Sequence, residues 1–237
     1  KGTIMKKITL AILMTFGIFT MVSADIGVKL GVSAQIGSME ASGSETNSTT
    51  GLTETSETKE ALFGTAGFFI EKDLAFLPGR AGEIGSRISF GYDNIAHNLD
   101  LGTADNARLA SLGAAGAVVP ATVHKLDAEI TDFQTIYAMI NITDWLYVKA
   151  GEVTVDVTTK FTGSSTSSYP TGHELDGTMY GIGIAKSTDN GLFFRLEYND
   201  YDIDGKTVTN SGTDSVFSAT LKDVTGSTGR ISIGKAF

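Results

Sequence analysis

The segment IGVKLGVSAQIG, from Ile26 to Gly37, alternates between apolar residues and polar or small ones. Its even positions, ending at Ile36, carry Ile, Val, Leu and Ala, whereas its odd positions carry Gly, Lys, Ser and Gln. Successive side chains of a β-strand point to opposite faces, so a period of two predicts a strand with one apolar face. A helix would space its apolar residues three and four positions apart.

The same alternation of apolar with polar or small residues recurs along the chain and predicts further strands. We predict seven of them, at residues 61–72, 84–96, 127–140, 145–158, 177–186, 192–199 and 216–237. In the strand at 145–158 the apolar residues change parity near Gly151 and Glu152, which predicts a β-bulge at that point. With the opening segment, the chain is expected to hold eight strands.

The connections between these strands differ in length in a regular way. The predicted connections are residues 39–60, 73–83, 97–126, 141–144, 159–176, 189–191 and 200–215. Long loops rich in Ser, Thr and acids alternate with shorter turns, and the Ala-rich part of 97–126 is compatible with a short helix. Short turns on one side and long loops on the other are typical of outer-membrane barrels.

The N-terminal residues predict export. Lys6 and Lys7 precede an uncharged run of 15 residues, Ile8 to Val22, and small residues follow up to Ala24. This is the layout of a cleavable signal peptide. The run is shorter than the roughly 20 residues that a membrane-spanning helix needs. We therefore expect residues 1–24 to be upstream residues and signal peptide, and residues 25–237 to form the barrel.

Composition excludes several classes of function. The 237 residues carry a formal net charge of −9 and contain no cysteine. Nucleic-acid binding needs clustered Lys and Arg against phosphate, so we expect no nucleic-acid partner. Without cysteine there is no disulfide framework, and the exported chain must be stabilised by another closed system of bonds. An antiparallel sheet closed into a barrel would supply it.

The closing segment RISIGKAF, from Arg230 to Phe237, carries the most specific pattern. Together with residues 35–45 and 146–151, it resembles the small eight-stranded outer-membrane barrels of the OmpA/OmpX-like group, and is similar to compact barrels of marine Gram-negative bacteria. The resemblance implies an all-β, closed, antiparallel up-and-down transmembrane barrel in the cell outer membrane. It also implies that the barrel-assembly machinery reads the last strand. The residues implied as this assembly signal are Ile231, Ile233, Gly234 and Phe237.

Charged residues on the polar faces of the predicted strands are candidates for the barrel interior. They are Arg87, Lys149, Arg195 and Glu197. Buried charges must pair, because leaving one alone inside a protein is costly. The interior of an eight-stranded barrel is just wide enough for side chains to fill, which favours a structural role for these charges over a gated ion path.

Other candidate sites are weaker. Asp200, Asp202 and Asp204 match the opening half of a calcium loop, D-x-D-x-D-G, but position 12 is Ser211 instead of the closing carboxylate. We expect a weak surface calcium site at most, and no other cofactor. The histidines do not have metal-ligand spacing. No G-x-S-x-G motif is present, and we expect no enzymatic activity.

These observations predict an integral outer-membrane protein, monomeric, with a structural or surface-interaction role through acidic extracellular loops. Its expected partners are outer-membrane lipid, lipopolysaccharide and the barrel-assembly machinery. Two alternatives remain open from sequence. One is a narrow porin-like channel for ions or small solutes, and the other is a secreted soluble β-sandwich that acts as a binding module.

Overall fold

The computed structural model describes residues 27–47, 51, 53–95, 98–108, 111–112, 118–119, 122–162, 169–211 and 217–237. The predicted signal peptide, residues 1–24, lies outside the described residues. The described residues form thirteen strands and one short helix. The strands are β1 (Val28–Asn47), β2 (Thr53–Asp73), β3 (Ile88–Ile95), β4 (Leu99–Arg108), β5 (Ser111–Leu112), β6 (Val118–Val119), β7 (Thr122–Asn141), β8 (Leu146–Thr162), β9 (Gly172–Ser187), β10 (Leu192–Ile203), β11 (Lys206–Thr209), β12 (Phe217–Leu221) and β13 (Val224–Ala236), and the helix is α1 (Arg80–Gly85).

Eleven of these strands form one sheet that closes on itself. β1 pairs antiparallel with β2 on one edge and with β13 on the other, which closes the barrel. β3 and β4 follow one another along β7 and together make one wall strand. β11 and β12 pair with each other beyond β10 and β13. The wall therefore has eight antiparallel strands, as the sequence predicted, and the two-sheet sandwich alternative is wrong.

The two ends of the barrel differ. Residues 142–145 and 188–191 make tight turns at one end, where the amide of Phe237 also donates to the carbonyl of Val28 (2.8 Å). We call this the turn end and the opposite end the loop end. No helix in the described part of the chain has the length and apolar character that a bilayer crossing requires.

The largest difference from the sequence prediction is that the strands extend far towards the loop end. Residues 39–60 were predicted as a loop, yet β1 continues to Asn47 and β2 begins at Thr53. Cross-strand hydroxyl pairs hold this part together, for example Ser42 Oγ with Thr58 Oγ1 at 2.8 Å. Both faces of such a hairpin can be polar, so the alternation that reveals a strand in the apolar band is missing from the sequence.

Three smaller predictions are also wrong. Ile84 lies in α1, and the third wall strand begins only at Ile88. The connection predicted at 97–126 is mostly strand in its described residues, which belong mainly to β4 to β7, whereas the Ala-rich stretch lies mostly outside the described residues. The register of β8 with its neighbours is continuous through Gly151, whereas the irregularity lies on β7 between Ile130 and Asp132.

The parity change that suggested a bulge has another cause. Odd-numbered residues of β8 face the interior throughout, with Tyr147 and Lys149 near the turn end and Val153 and Val155 nearer the loop end, all buried. The interior itself becomes apolar along the strand. The apolar residues therefore change parity while the backbone stays regular.

Candidate functional site in the barrel interior

The strongest interaction inside the barrel joins Glu71 on β2 to Arg195 on β10. Arg195 donates from Nη1 to Glu71 Oε1 (2.5 Å) and from Nη2 to Oε2 (2.6 Å), a bidentate arrangement. The hydroxyl of Tyr137 also donates to Glu71 Oε1 (2.7 Å). All three side chains are buried. Because both carboxylate oxygens accept charge-assisted bonds, this pair clamps opposite walls of the barrel together.

A second carboxylate, Glu197, lies one inward position along β10. It accepts from Lys149 Nζ (2.8 Å) and from the hydroxyl of Tyr147 (2.8 Å), both on β8. Asn199 Nδ2 donates to the same carboxylate at 3.4 Å. Arg230 Nε on β13 lies 3.9 Å from Glu197 Oε2. Glu197 therefore links three elements of the wall.

The third pair joins Arg230 to Asp93 on β3. These three pairs comprise six buried side chains, which we call the interior charge network: Glu71, Asp93, Lys149, Arg195, Glu197 and Arg230. Three are acids and three are bases, so the described network is formally neutral. Buried charges are tolerated when each has a partner and its remaining hydrogen-bonding groups are met. Each of the six charges has a partner of opposite charge, while Arg230 Nε makes no hydrogen bond among the described residues.

Aromatic rings fill the space around these charges. The Arg195 guanidinium lies 4.6 Å from the centroid of Phe193 and 5.4 Å from that of Tyr147, and Lys149 Nζ lies 4.7 Å from that of Tyr137. Cations over ring faces gain further electrostatic stabilisation. A glycine makes room for each tyrosine: a Cβ at Gly91 would collide with the Tyr137 ring, and one at Gly183 with the Tyr147 ring.

Towards the loop end the interior is apolar. Phe133 and Tyr201 pack edge to face with centroids 5.6 Å apart. The other buried apolar residues of this layer include Met39, Ile95, Leu99, Ile130, Val153, Val155, Leu175, Met179 and Ile203. An internal cavity of about 10 Å³ lies next to the charge network, lined in part by Phe133 and Tyr201. That volume has room for about one water molecule.

The predicted interior charges divide into two groups. Lys149, Arg195 and Glu197 lie in the interior charge network. Arg87 is exposed and donates from Nη1 to the carbonyl of Ile142 (3.4 Å), so its assignment to the interior is wrong. The physical reason is that Arg87 precedes the first residue of β3 and lies at the turn end.

Sequence reasoning missed Glu71 and Arg230, and it placed Asp93 on a polar strand face without naming it among the candidate interior charges. A usable signal existed, because each lies on the strand face opposite the outward apolar residues. The position of a residue along the strand indicates that its side chain faces the interior, but it does not identify the residue with which that side chain pairs. Glu71 and Arg195 are 124 residues apart, and only closure of the barrel brings them together.

The predicted calcium residues lie on the outside. Asp200 and Asp202 are exposed on β10 and alternate with the buried Tyr201 and Ile203, while Asp204 follows the strand. A calcium loop of this type turns sharply within these residues, whereas β10 stays extended to Ile203. In the described part of the chain, no group of three or more His, Asp or Glu residues could hold a metal ion.

The outer wall carries a continuous apolar band. Large apolar side chains exposed on it include Leu30, Val32, Ile36, Phe68, Phe90, Ile140, Val148, Ile182, Ile184, Phe194, Leu196, Ile231 and Ile233. On β1 the band runs from Leu30 to Ile36, about 20 Å along the strand. A closed barrel with an apolar band outside and paired charges inside is built for a lipid surrounding. The fold is that of an integral outer-membrane β-barrel.

The predicted assembly residues lie on the last strand of this barrel. Ile231 and Ile233 face outward, Gly234 faces inward against the ring of Phe193, and Phe237 is exposed. The structure describes their positions, and their recognition by the assembly machinery stays a prediction.

No protein-family profile matches the chain, and no curated protein matches its sequence. Among solved structures, the chain is similar to the outer membrane protease OmpT from Escherichia coli, at 7% identity over 92% of this chain and 99% of that one, with a TM-score of 0.49. It is also similar to the outer membrane protein OprG from Pseudomonas aeruginosa (8% identity, 92% and 100% covered, TM-score 0.44). A third is Ail, the attachment invasion locus protein of Yersinia pestis (10%, 84% and 98%, 0.29).

Proposed function

We propose that this protein is a monomeric envelope barrel, closed along its axis, which acts through its surfaces and neither conducts solutes nor catalyses a reaction. The observation that supports this proposal is the state of the interior. All six charges of the described network have partners, and the cavity beside them measures about 10 Å³. A hydrated ion would have to displace both the paired charges and the apolar layer.

Electrical recording tests this proposal. Purified, folded barrel is inserted into planar bilayers, and the expected result is no conductance steps above the protein-free baseline. The variant Phe133→Gly/Arg195→Gly, which removes two large inward side chains, serves as the positive control for insertion. Reproducible single-channel steps from the unaltered protein would contradict the proposal and favour the narrow-channel alternative.

The surface through which the barrel would act lies at the loop end. There β2, β1, β12 and β11 pair side by side beyond the apolar band. Hydroxyl pairs bridge these strands, with Ser42 to Thr58 at 2.8 Å and Thr207 to Thr220 at 2.9 Å. An ordered, hydroxyl-rich sheet offers a fixed pattern of donors and acceptors to a polar partner, which supports a surface-interaction role.

Outward acids follow the apolar band on the loop side. They are Glu40, Glu60, Glu152, Asp176, Asp200 and Asp202, all exposed. Carboxylates repel the phosphates of lipopolysaccharide directly, whereas divalent cations can bind both groups. The proposal therefore includes contact with lipopolysaccharide that depends on Mg²⁺ or Ca²⁺.

Co-purification measures this contact. We expect EDTA to lower the amount of lipopolysaccharide retained by the barrel, and Asp200→Asn/Asp202→Asn to lower it in the presence of Mg²⁺. Asp189→Asn, an exposed acid at the turn end, is the matched control and should change nothing. If all variants retained the same amount of lipopolysaccharide with and without EDTA, the contact would not depend on a divalent cation.

A further inference from the structure

The lipid-facing wall has a recess where two alanines lie between two aromatic residues. Across β3, β7, β8 and β9, the outward residues of one row are Phe90, Ala138, Ala150 and Tyr180, each in register with the next. The two rings stand out from the wall, at 52% and 62% exposed, whereas each alanine adds only a methyl group. The strands that carry the rings are three strand spacings apart, about 14 Å. We call this recess the alanine notch.

The alanine notch has the volume and the lining of a binding site for an apolar group. It encloses about 380 Å³, and known ligand sites start at roughly 300 Å³. On the side of the turn end, a row of larger outward residues closes it, formed by Ile140, Val148 and Ile182. Since its floor lies within the outward apolar band, the group that fills it in a membrane is hydrocarbon.

Glu152 is the charged residue among the described residues that line the notch. It faces outward from β8, one outward position beyond Ala150 towards the loop end, and it is exposed. Among the described residues, no salt bridge includes it. Its outward neighbours on β7 and β9, in register and diagonal, carry no positive charge: Gln134, Ile136, Ala138, Asp176, Thr178 and Tyr180. A carboxylate beside hydrocarbon is costly without a partner, and here the described wall offers it no cation.

We propose that the alanine notch binds one acyl lipid whose headgroup carries a primary ammonium. The acyl chain lies over Ala138 and Ala150, between the rings of Phe90 and Tyr180, and the ammonium donates to the carboxylate of Glu152. The charge of Glu152 favours a cationic headgroup and repels an anionic one. An ionised carboxylate only accepts hydrogen bonds, so a primary ammonium, which has N–H donors, fits it better than a quaternary one.

Two other occupants fit the notch less well. A bound Ca²⁺ takes six to eight oxygen ligands, whereas no group of three or more acids or histidines in the described part of the chain could hold a metal ion. A second barrel could place its own Tyr180 in the notch. A two-fold contact brings the same wall residues together, however, so it would cover Glu152 without supplying a cation.

This lipid site is separable from the contact with lipopolysaccharide proposed above, and it goes beyond that proposal. Asp200 and Asp202, which test the dependence of that contact on divalent cations, lie on β10, two strands from Glu152. The notch lies on the outer wall, so its occupancy leaves the interior charge network and the closed axis of the barrel unchanged. Failure of one proposal would therefore leave the other standing.

Quenching of a single tryptophan by brominated lipids tests the site. Trp145→Phe removes the native tryptophan, and Phe90→Trp then places a reporter in the wall of the notch. The barrel is folded into phosphatidylcholine vesicles with EDTA and an equal small fraction of one brominated lipid: phosphatidylethanolamine, phosphatidylcholine or phosphatidylglycerol. We expect phosphatidylethanolamine to be preferred over phosphatidylcholine by roughly 3- to 10-fold, the order of one hydrogen bond. Ile36→Trp, on β1 outside the notch, is the reference reporter, and the three lipids should quench it equally.

Substitutions in the notch test the two contacts of the lipid. Glu152→Gln keeps the size and removes the charge, so the preference for phosphatidylethanolamine should disappear. Ala150→Phe fills the notch and should abolish the same preference, whereas Asp200→Asn, an exposed acid outside the notch, should leave it unchanged. Heat-dependent gel mobility verifies that each variant is folded. A preference that persists in folded Glu152→Gln would overturn the assignment of the ammonium to this carboxylate.

The same assay identifies the other occupants. Preferential quenching by phosphatidylglycerol when Mg²⁺ replaces EDTA, without a preference for phosphatidylethanolamine, would assign the notch to a cation-bridged phosphate and overturn the proposal. Quenching by all three lipids that falls as the number of barrels per lipid rises would assign it to a second copy and overturn the proposal as well. Equal quenching by the three lipids at residue 90 would show that the notch does not select its lipid.

Discussion

The Glu71–Arg195 pair makes the sharpest test of how the interior stabilises the barrel. Their side chains are 0% and 5% exposed and are joined by two short bonds. Removing one partner leaves the other charge buried, which costs about 3–5 kcal/mol in comparable cases. We therefore expect Arg195→Met to lower the free energy of unfolding by that amount. The Tyr137 hydroxyl still donates to Glu71 in this variant, but it carries no charge to balance the carboxylate.

The double variant Glu71→Met/Arg195→Met separates pairing from burial. Replacing a buried ion pair with apolar groups of similar volume is often neutral or stabilising. The Tyr137 hydroxyl loses its acceptor in this variant, a cost of about 1–3 kcal/mol. The double variant should therefore be more stable than Arg195→Met alone, although it removes two buried groups instead of one.

Reversible urea unfolding in lipid vesicles measures these differences. Trp145, the only tryptophan in the sequence, reports unfolding by fluorescence from the turn between β7 and β8. The control is Lys59→Ala, which breaks an exposed pair with Glu57 and should cost less than about 1 kcal/mol. Strictly additive losses in the double variant, or a loss under about 1 kcal/mol in Arg195→Met, would refute the conclusion that charge pairing stabilises the interior.

Three further predictions concern other parts of the barrel. Gly183→Ala drives a methyl into the ring of Tyr147 and should cost about 1–3 kcal/mol in the same assay, whereas Gly229→Ala meets no atom and should be near neutral. Ile182→Arg places a charge on the lipid face and should cost about 2–4 kcal/mol, with little effect if that face is wet. Deletion of Phe237 should reduce the folded fraction in outer-membrane extracts, and unchanged assembly would refute the predicted role of Phe237 in it.

The outward face of the barrel was predictable from sequence because lipid imposes a strict rule. Every outward residue at lipid depth must be apolar or small, so Leu30, Val32 and Ile36 show a clean period of two. The strand count and the closed topology followed from that period and from the alternating lengths of the connections.

The interior was less predictable because its chemistry changes along the axis. Lys149 and Val153 both face the interior from β8. Because polar residues were assumed to face inward and apolar residues outward, this change in polarity was wrongly interpreted as a β-bulge near Gly151. The partner of each charge could not be predicted either, because strand register and barrel closure determine which positions come into contact. Glu71 and Arg195, for example, are 124 residues apart in the sequence. The strands at the loop end were not predicted because they lie outside the apolar band, where neither face has to be apolar and the period of two is absent.

The interior charge network and the apolar layer towards the loop end depend on one another. Ion pairs gain most where water is excluded, and the apolar layer around Phe133 excludes it from the loop end. An apolar layer alone would fix neither the register nor the approach of opposite walls, whereas the bidentate contact of Arg195 with Glu71 is directional and fixes both. The paired charges therefore close the barrel towards the turn end, and the apolar layer keeps water away from them on the loop side.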